Sequence, residues 1–163
     1  MKASANNRPQ KLSISSSGFT LIELMVTIAV LAIIVGIAAP NISTQLANQR
    51  VKSTASTLEN ALKEAKAESI IRRQPLTVIL DVSKKTIKIQ HVVSSEVKST
   101  FSSYKYDTKS TIKSDSTNTQ FKPNKIANAT VYTICDSNTA ASPSKVAVSA
   151  TAVISIKSEG TCI

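Results

Sequence analysis

Hydrophobic and polar positions divide this chain into three stretches with three different periods. From Phe19 to Pro40, 22 residues carry a single charge, Glu23. A helix rises about 1.5 Å per residue, so about 20 such residues cross a hydrocarbon core of ~30 Å. From Val51 the apolar positions recur at intervals of three and four (Val51, Ala55, Leu58, Leu62, Ala65), while Arg50, Lys52, Glu59, Lys63, Glu64, Lys66 and Glu68 fill the other faces. That spacing predicts an amphipathic helix. The two stretches read as one helix from about Phe19 to Arg72, ended by Pro75, which excludes helical geometry from the residue before it. Within it, Gly36 and Pro40 are the weak points: Gly costs roughly 1 kcal/mol, and Pro removes a hydrogen bond and clashes one turn back.

Beyond Pro75 the period becomes two. Residues 76–82 and 86–92 flank Ser83-Lys84-Lys85 and predict a hairpin. Further strands are expected at 101–106, 111–113, 129–134, 145–150 and 152–157. Stretches 94–100, 107–120 and 136–145, rich in Ser, Thr, Asn and Lys, read as exposed loops. The predicted fold class is α+β: a long N-terminal helix packed on a small antiparallel β-sheet head. Three parts follow: a leader at 1–18, an apolar helix at 19–45 and a head at 46–163, the last divided into a helical half (46–72) and a β-rich part (76–163).

The leader carries Lys2, Arg8 and Lys11 and no acidic residue. Under the positive-inside rule it stays cytoplasmic and the head lies on the far side of the membrane. A cleaved secretory signal peptide fits poorly, because Ile37-Ala38-Ala39 is a weak cleavage site and Glu23 interrupts the apolar region. A plain single-span anchor leaves Glu23 unexplained, since an ionisable group among apolar residues costs a few kcal/mol in a bilayer unless it is paired. Snorkelling of Glu23 to the cytoplasmic interface is a further reading. The run Gly18-Phe19-Thr20-Leu21-Ile22-Glu23-Leu24-Met25-Val26 closely resembles the type III signal of the type IV pilin superfamily, and the resemblance covers residues 13–45. It implies a type IV pilin-like fold, cleavage between Gly18 and Phe19 by a prepilin peptidase, and N-methylation of Phe19. In such assemblies the partner of the glutamate, here Glu23, is the N-terminal amine of a subunit, freed only by cleavage. The resemblance also implies that the helix bends or melts near Gly36 and Pro40 on packing into a filament.

Three further stretches resemble the subgroup that contains secretion pseudopilin H and the minor pilins FimT and FimU. These are Ala61–Ser69, the run Arg72-Arg73-Gln74-Pro75-Leu76-Thr77-Val78, and Val131–Cys135 with a late second cysteine. Residues 94–125 carry no such pattern. An exported head lies in an oxidising compartment, where a cross-link between Cys135 and Cys162 is expected.

Composition narrows the chemistry. The 163 residues include 20 basic and 10 acidic ones, a net charge of +10, with 3 Gly and a single His. Loss of the leader leaves 17 basic residues and a net +7. Clustered lysines such as Lys84, Lys85 and Lys88 are candidates for a salt-dependent DNA contact. Against this, DNA-binding relatives carry Gly-Arg-x-Arg near the last strand, where Thr151-Ala152-Val153-Ile154 has neither Gly nor Arg. No Ser/His/acid set, phosphate-binding Gly loop or metal-ligand cluster can be assembled around His91. The chain is therefore read as a non-enzyme without cofactor or metal. The resemblance implies a minor pilin at or near a pilus tip that helps to prime assembly. Its implied partners are other minor pilins, the major pilin, the prepilin peptidase and the inner-membrane assembly platform, and it spans the inner membrane once before assembly. A type II secretion pseudopilin H and a DNA-binding pilin of natural transformation are the alternatives.

Overall fold

The computed structural model describes residues 18–93 and 96–162, without the side chains of residues 38–41. Leader residues 1–17, the Pro40 side chain and Ser94-Ser95 lie outside the described residues. One helix, α1, runs Leu21–Arg72, followed by eight strands: β1 Leu76–Asp81, β2 Thr86–Val93, β3 Glu96–Lys105, β4 Ser110–Ser114, β5 Asn118–Phe121, β6 Thr130–Asp136, β7 Ser144–Val148 and β8 Ile154–Lys157. The chain divides into two compact units, Met1–Ala38 and Ala39–Ile163.

In the second unit the strands form two antiparallel four-stranded sheets, with orders β3-β2-β1-β5 and β4-β6-β7-β8. The stripe Val51, Ala55, Leu58, Leu62 and Ala65 is buried, as are Ala47 and Ala61. Its core partners are Leu76, Val78, Ile87, Ile89 and Phe121 from one sheet and Ile112, Tyr132, Ile134, Val146 and Val148 from the other. Alanines at four of these seven helix positions let the backbone of α1 approach the sheets closely. Each fully buried Leu, Ile or Val contributes roughly 1.5–3 kcal/mol. The hydroxyls of Thr119 on β5 and Tyr132 on β6 hydrogen-bond at 2.6 Å, a buried polar link between the sheets.

Several boundaries differ from the sequence expectation, each for a local reason. Residues 96–100, expected in a loop, form the outer half of β3. This is an edge strand paired only to β2, so its exposed Glu, Lys, Ser and Thr give no apolar alternation. Residues 118–120, also expected in a loop, belong to the short edge strand β5, whose inward residues are Thr119 and Phe121. The last strand begins at Ile154, not at 152, because Ala152 has φ 55° and belongs to the turn. The hairpin at 83–85 is closed by Asp81, whose Oδ1 accepts the Lys84 N–H at 3.0 Å. Helix α1 ends in a Schellman pattern: Gln74 N–H donates to the Ser69 carbonyl at 3.2 Å, with Arg73 left-handed at φ 54°.

Candidate assembly surface

Gly18, Phe19 and Thr20 precede α1 as exposed, irregular chain. Thr20 is the cap. Its Oγ1 accepts the Glu23 N–H at 3.3 Å, and its carbonyl accepts the Leu24 N–H at 3.2 Å. Thr20-x-x-Glu23 is the spacing of a capping box, and it starts the helix at Leu21, two residues after the expected Phe19. The result is that the Gly18–Phe19 bond lies outside the helix in accessible chain, the kind of segment a peptidase can reach. Glu23 sits in the first turn, where the helix dipole favours a carboxylate. Among the described residues it forms no ion pair.

Large apolar side chains from Phe19 to Ile37 are between 50% (Val30) and 80% (Phe19) exposed. A contiguous apolar surface of this kind requires a membrane or a partner. Among the described residues no single helix is long and apolar enough to cross a membrane; Leu21–Ile37 together with Ile42–Arg72 is, by length and composition. A Cβ at Gly36 would meet nothing within 4 Å, so that position offers room for close helix packing.

In the head, Arg50 of α1 makes a two-pronged contact with Asp136 at the end of β6, at 2.8 and 2.9 Å. Asp107 lies 3.9 Å from the same guanidinium. Asp136 follows Cys135, which is bonded to Cys162 with Cα atoms 5.9 Å apart. Helix, β6 and the C-terminal tail are thus tied at one place. Arg50 and Asp136 are 86 positions apart, and nothing in the sequence pairs them. Glu64 makes a second contact missed by sequence reasoning, accepting hydrogen bonds from Ser102 Oγ and Tyr104 Oη of β3.

Two of the three candidate DNA-contacting lysines, Lys84, Lys85 and Lys88, have partners within the head. Lys85 Nζ donates to the Ser110 carbonyl at 2.9 Å, and Lys88 pairs with Asp81 at 3.1 Å. Lys84 is exposed in the turn. Among the described residues no group of three His, Cys, Asp or Glu side chains could hold a metal ion.

Hydrogen bonds from Arg50, reinforced by the Asn138 N–H, hold the Asp136 carboxyl below its ordinary range against the opposing effect of burial. The Lys84 N–H and then Lys88 do the same for Asp81. Both groups bind protons less readily folded than unfolded. Their stabilisation is therefore complete above the unfolded value of about pH 4 and drains away as pH falls through the folded values. Urea unfolding midpoints are expected to hold steady from neutral pH to about pH 5 and to decline below about pH 4. Asp136→Asn should flatten part of that decline; an unchanged slope would show that the Arg50 contact does not stabilise the fold.

The prokaryotic N-terminal methylation motif matches residues 15–39. The exposed Gly18–Phe19 segment ahead of the helix lies within this match. The fold is pilin-like. The described fold is similar to that of the type IV minor pilin FimU of Pseudomonas aeruginosa (17% identity, TM-score 0.59), covering 67% of this chain and 89% of FimU. It is equally similar to the minor pseudopilin EpsH of the type II secretion system of Vibrio cholerae (8% identity, TM-score 0.59), covering 71% of this chain and 99% of EpsH. At these identities the likeness concerns the fold. No curated protein matches the sequence. The chain thus joins an N-terminal methylation motif to an α+β head whose fold is like those of the minor pilin FimU and the minor pseudopilin EpsH.

Proposed function

We propose that this pilin-like chain is a minor pilin of the FimU type that helps to prime pilus assembly and sits at or near the pilus tip. The carrying observation is the exposed apolar helix from Leu21 to Ile37 with one carboxylate, Glu23, in its first turn. A prepilin peptidase removes the leader after Gly18 on the cytoplasmic face, and Phe19 becomes the methylated N-terminus. Before assembly the apolar helix spans the inner membrane, with the head outside. Glu23 then meets the amine of a neighbouring subunit, where low dielectric makes opposite charges attract strongly. Apolar helices bundle, Gly36 and Pro40 supply local freedom in the helix, and the assembly platform extracts the bundle. Head surfaces select the other minor pilins and the major pilin.

A second reading, pseudopilin H of a type II secretion system, is favoured by the equal TM-score to EpsH. DNA binding is less well supported, because Lys85 and Lys88 are engaged within the head. Deleting the gene in a strain unable to retract pili separates these readings. The minor-pilin reading expects a strong drop in surface pili with exoprotein release intact. Normal piliation with lost exoprotein release would replace it with the pseudopilin reading, and loss of transformation alone would point to DNA uptake.

A further inference from the structure

Lys52, Lys84, Lys105 and Lys109 are exposed, and among the described residues none of them has a carboxylate within ion-pair distance. The carboxylates of this region are taken: Asp81 pairs with Lys88, while Asp107 and Asp136 both face Arg50. Backbone contacts gather the four lysines at one end of the head. Lys105 closes β3 opposite Thr86, and Tyr106 N–H donates to the Lys85 carbonyl at 3.0 Å. The end of β3 thus lies beside the turn that carries Lys84. The Lys109 carbonyl accepts the Ser137 N–H at 2.9 Å, next to Asp136, which Arg50 of α1 holds. Lys52 borders Ser142, whose N–H donates to Asn48 Oδ1 at 2.8 Å.

This is the end at which α1 enters the head. The buried stripe of the helix begins at Ala47, and just ahead of it Asn138 Nδ2 donates to Ser43 Oγ at 3.4 Å. The exposed apolar run ends at Ile37. As helix, the chain from Ile37 to Arg50 is about 20 Å long. Headgroups extend about 5–8 Å beyond the hydrocarbon core, and surface charge is felt for a further ~8 Å at physiological salt. A bilayer around the apolar run therefore holds its charged surface near these lysines. Lys122 and Lys125, by contrast, follow Phe121, which pairs with Leu76 just past the end of α1, so they belong to the opposite end of the head.

We propose that this end of the head, through Lys52, Lys84, Lys105 and Lys109, binds the headgroup phosphates of anionic phospholipids at the membrane surface from which α1 emerges. Two observations favour lipid over nucleic acid. The tether keeps headgroups at high effective concentration beside the patch, whereas DNA must arrive from solution. All four cations are lysines, compact point charges that suit phosphate, and the one guanidinium at this end, Arg50, is committed to Asp136. Such a contact holds the head against the membrane in the unassembled subunit and is given up on extraction. The inference rests on the reading of Leu21–Ile37 as part of a membrane span.

The test reconstitutes the full chain into nanodiscs of phosphatidylcholine, with or without phosphatidylglycerol, and follows amine acetylation of each lysine by mass spectrometry. In the anionic discs the four lysines are expected to react roughly fivefold more slowly, the factor for a lysine drawn to an anionic surface. Lys122 and Lys125 should react alike in both discs, and high salt should abolish the difference. Joint replacement Lys84→Gln, Lys105→Gln and Lys109→Gln should leave insertion intact and remove most of the protection of Lys52. Equal acetylation of the four lysines in both discs, or equal protection of Lys122 and Lys125, would overturn the proposal. So would protection by added duplex DNA in zwitterionic discs without protection by anionic lipid, which would give the patch to nucleic acid. A chain that enters neither disc would refute the span reading and this inference with it, whereas a chain that inserts with unprotected lysines refutes this inference alone.

Discussion

Replacing Glu23 with alanine is expected to leave cleavage after Gly18 intact while cutting incorporation into filaments by at least an order of magnitude. Cleavage depends on chain that precedes the helix, and the Thr20 cap accepts a backbone N–H that alanine also supplies. Assembly depends on the carboxylate itself. An unpaired ion among apolar residues costs a few kcal/mol, and pairing it with a second buried charge removes much of that cost. Each tenfold change in incorporation corresponds to about 1.4 kcal/mol, so even a modest pair has a large effect. Glu23→Asp tests geometry as well as charge, because the shorter side chain keeps the charge but withdraws it from the neighbouring amine. Immunoblots of sheared filaments against whole-cell protein measure both steps. Wild-type incorporation of the cleaved Glu23→Ala subunit would remove the carboxylate from the mechanism.

The second large effect concerns the head. Cys135 and Cys162 close a loop with a sequence separation of 27. In the chain-entropy account a loop of that size stabilises by about 3.5 kcal/mol. The bond also holds the tail beside Asp136, where Arg50 joins α1 to β6. Cys162→Ser is therefore expected to lower unfolding stability by roughly 3–4 kcal/mol, with reducing agent having the same effect on the wild-type chain. Urea unfolding followed by circular dichroism measures it. A loss below about 1 kcal/mol would mean that native contacts, and not the cross-link, hold the tail.

The fold class was legible because its signals are periodic. Spacing of three and four from Val51 to Ala65 put those residues on one face, and all five are buried. Alternation was strong in β1 and β2, where one face of each strand meets the core. It failed at β3 and β5 because both are edge strands. β3 is mostly exposed, and β5 is only four residues long. The N-terminal motif was legible residue by residue. Its cap at Thr20 was equally present in the sequence, as threonine three positions before glutamate, although the apolar run beside it extends back to Phe19. Contacts such as Arg50 with Asp136 and Glu64 with Tyr104 were not legible, since they join residues 86 and 40 positions apart through the tertiary fold alone.

The most direct test of the account is the mass of the mature protein's N-terminal peptide, isolated from cells that express the full chain with its prepilin peptidase. The account predicts a peptide that begins at Phe19, carries one methyl group on its amine, and reverts to the intact leader when the peptidase is absent. Retention of Met1 or Lys2 at the N-terminus in the presence of the peptidase, or cleavage beyond Ala39, would contradict it.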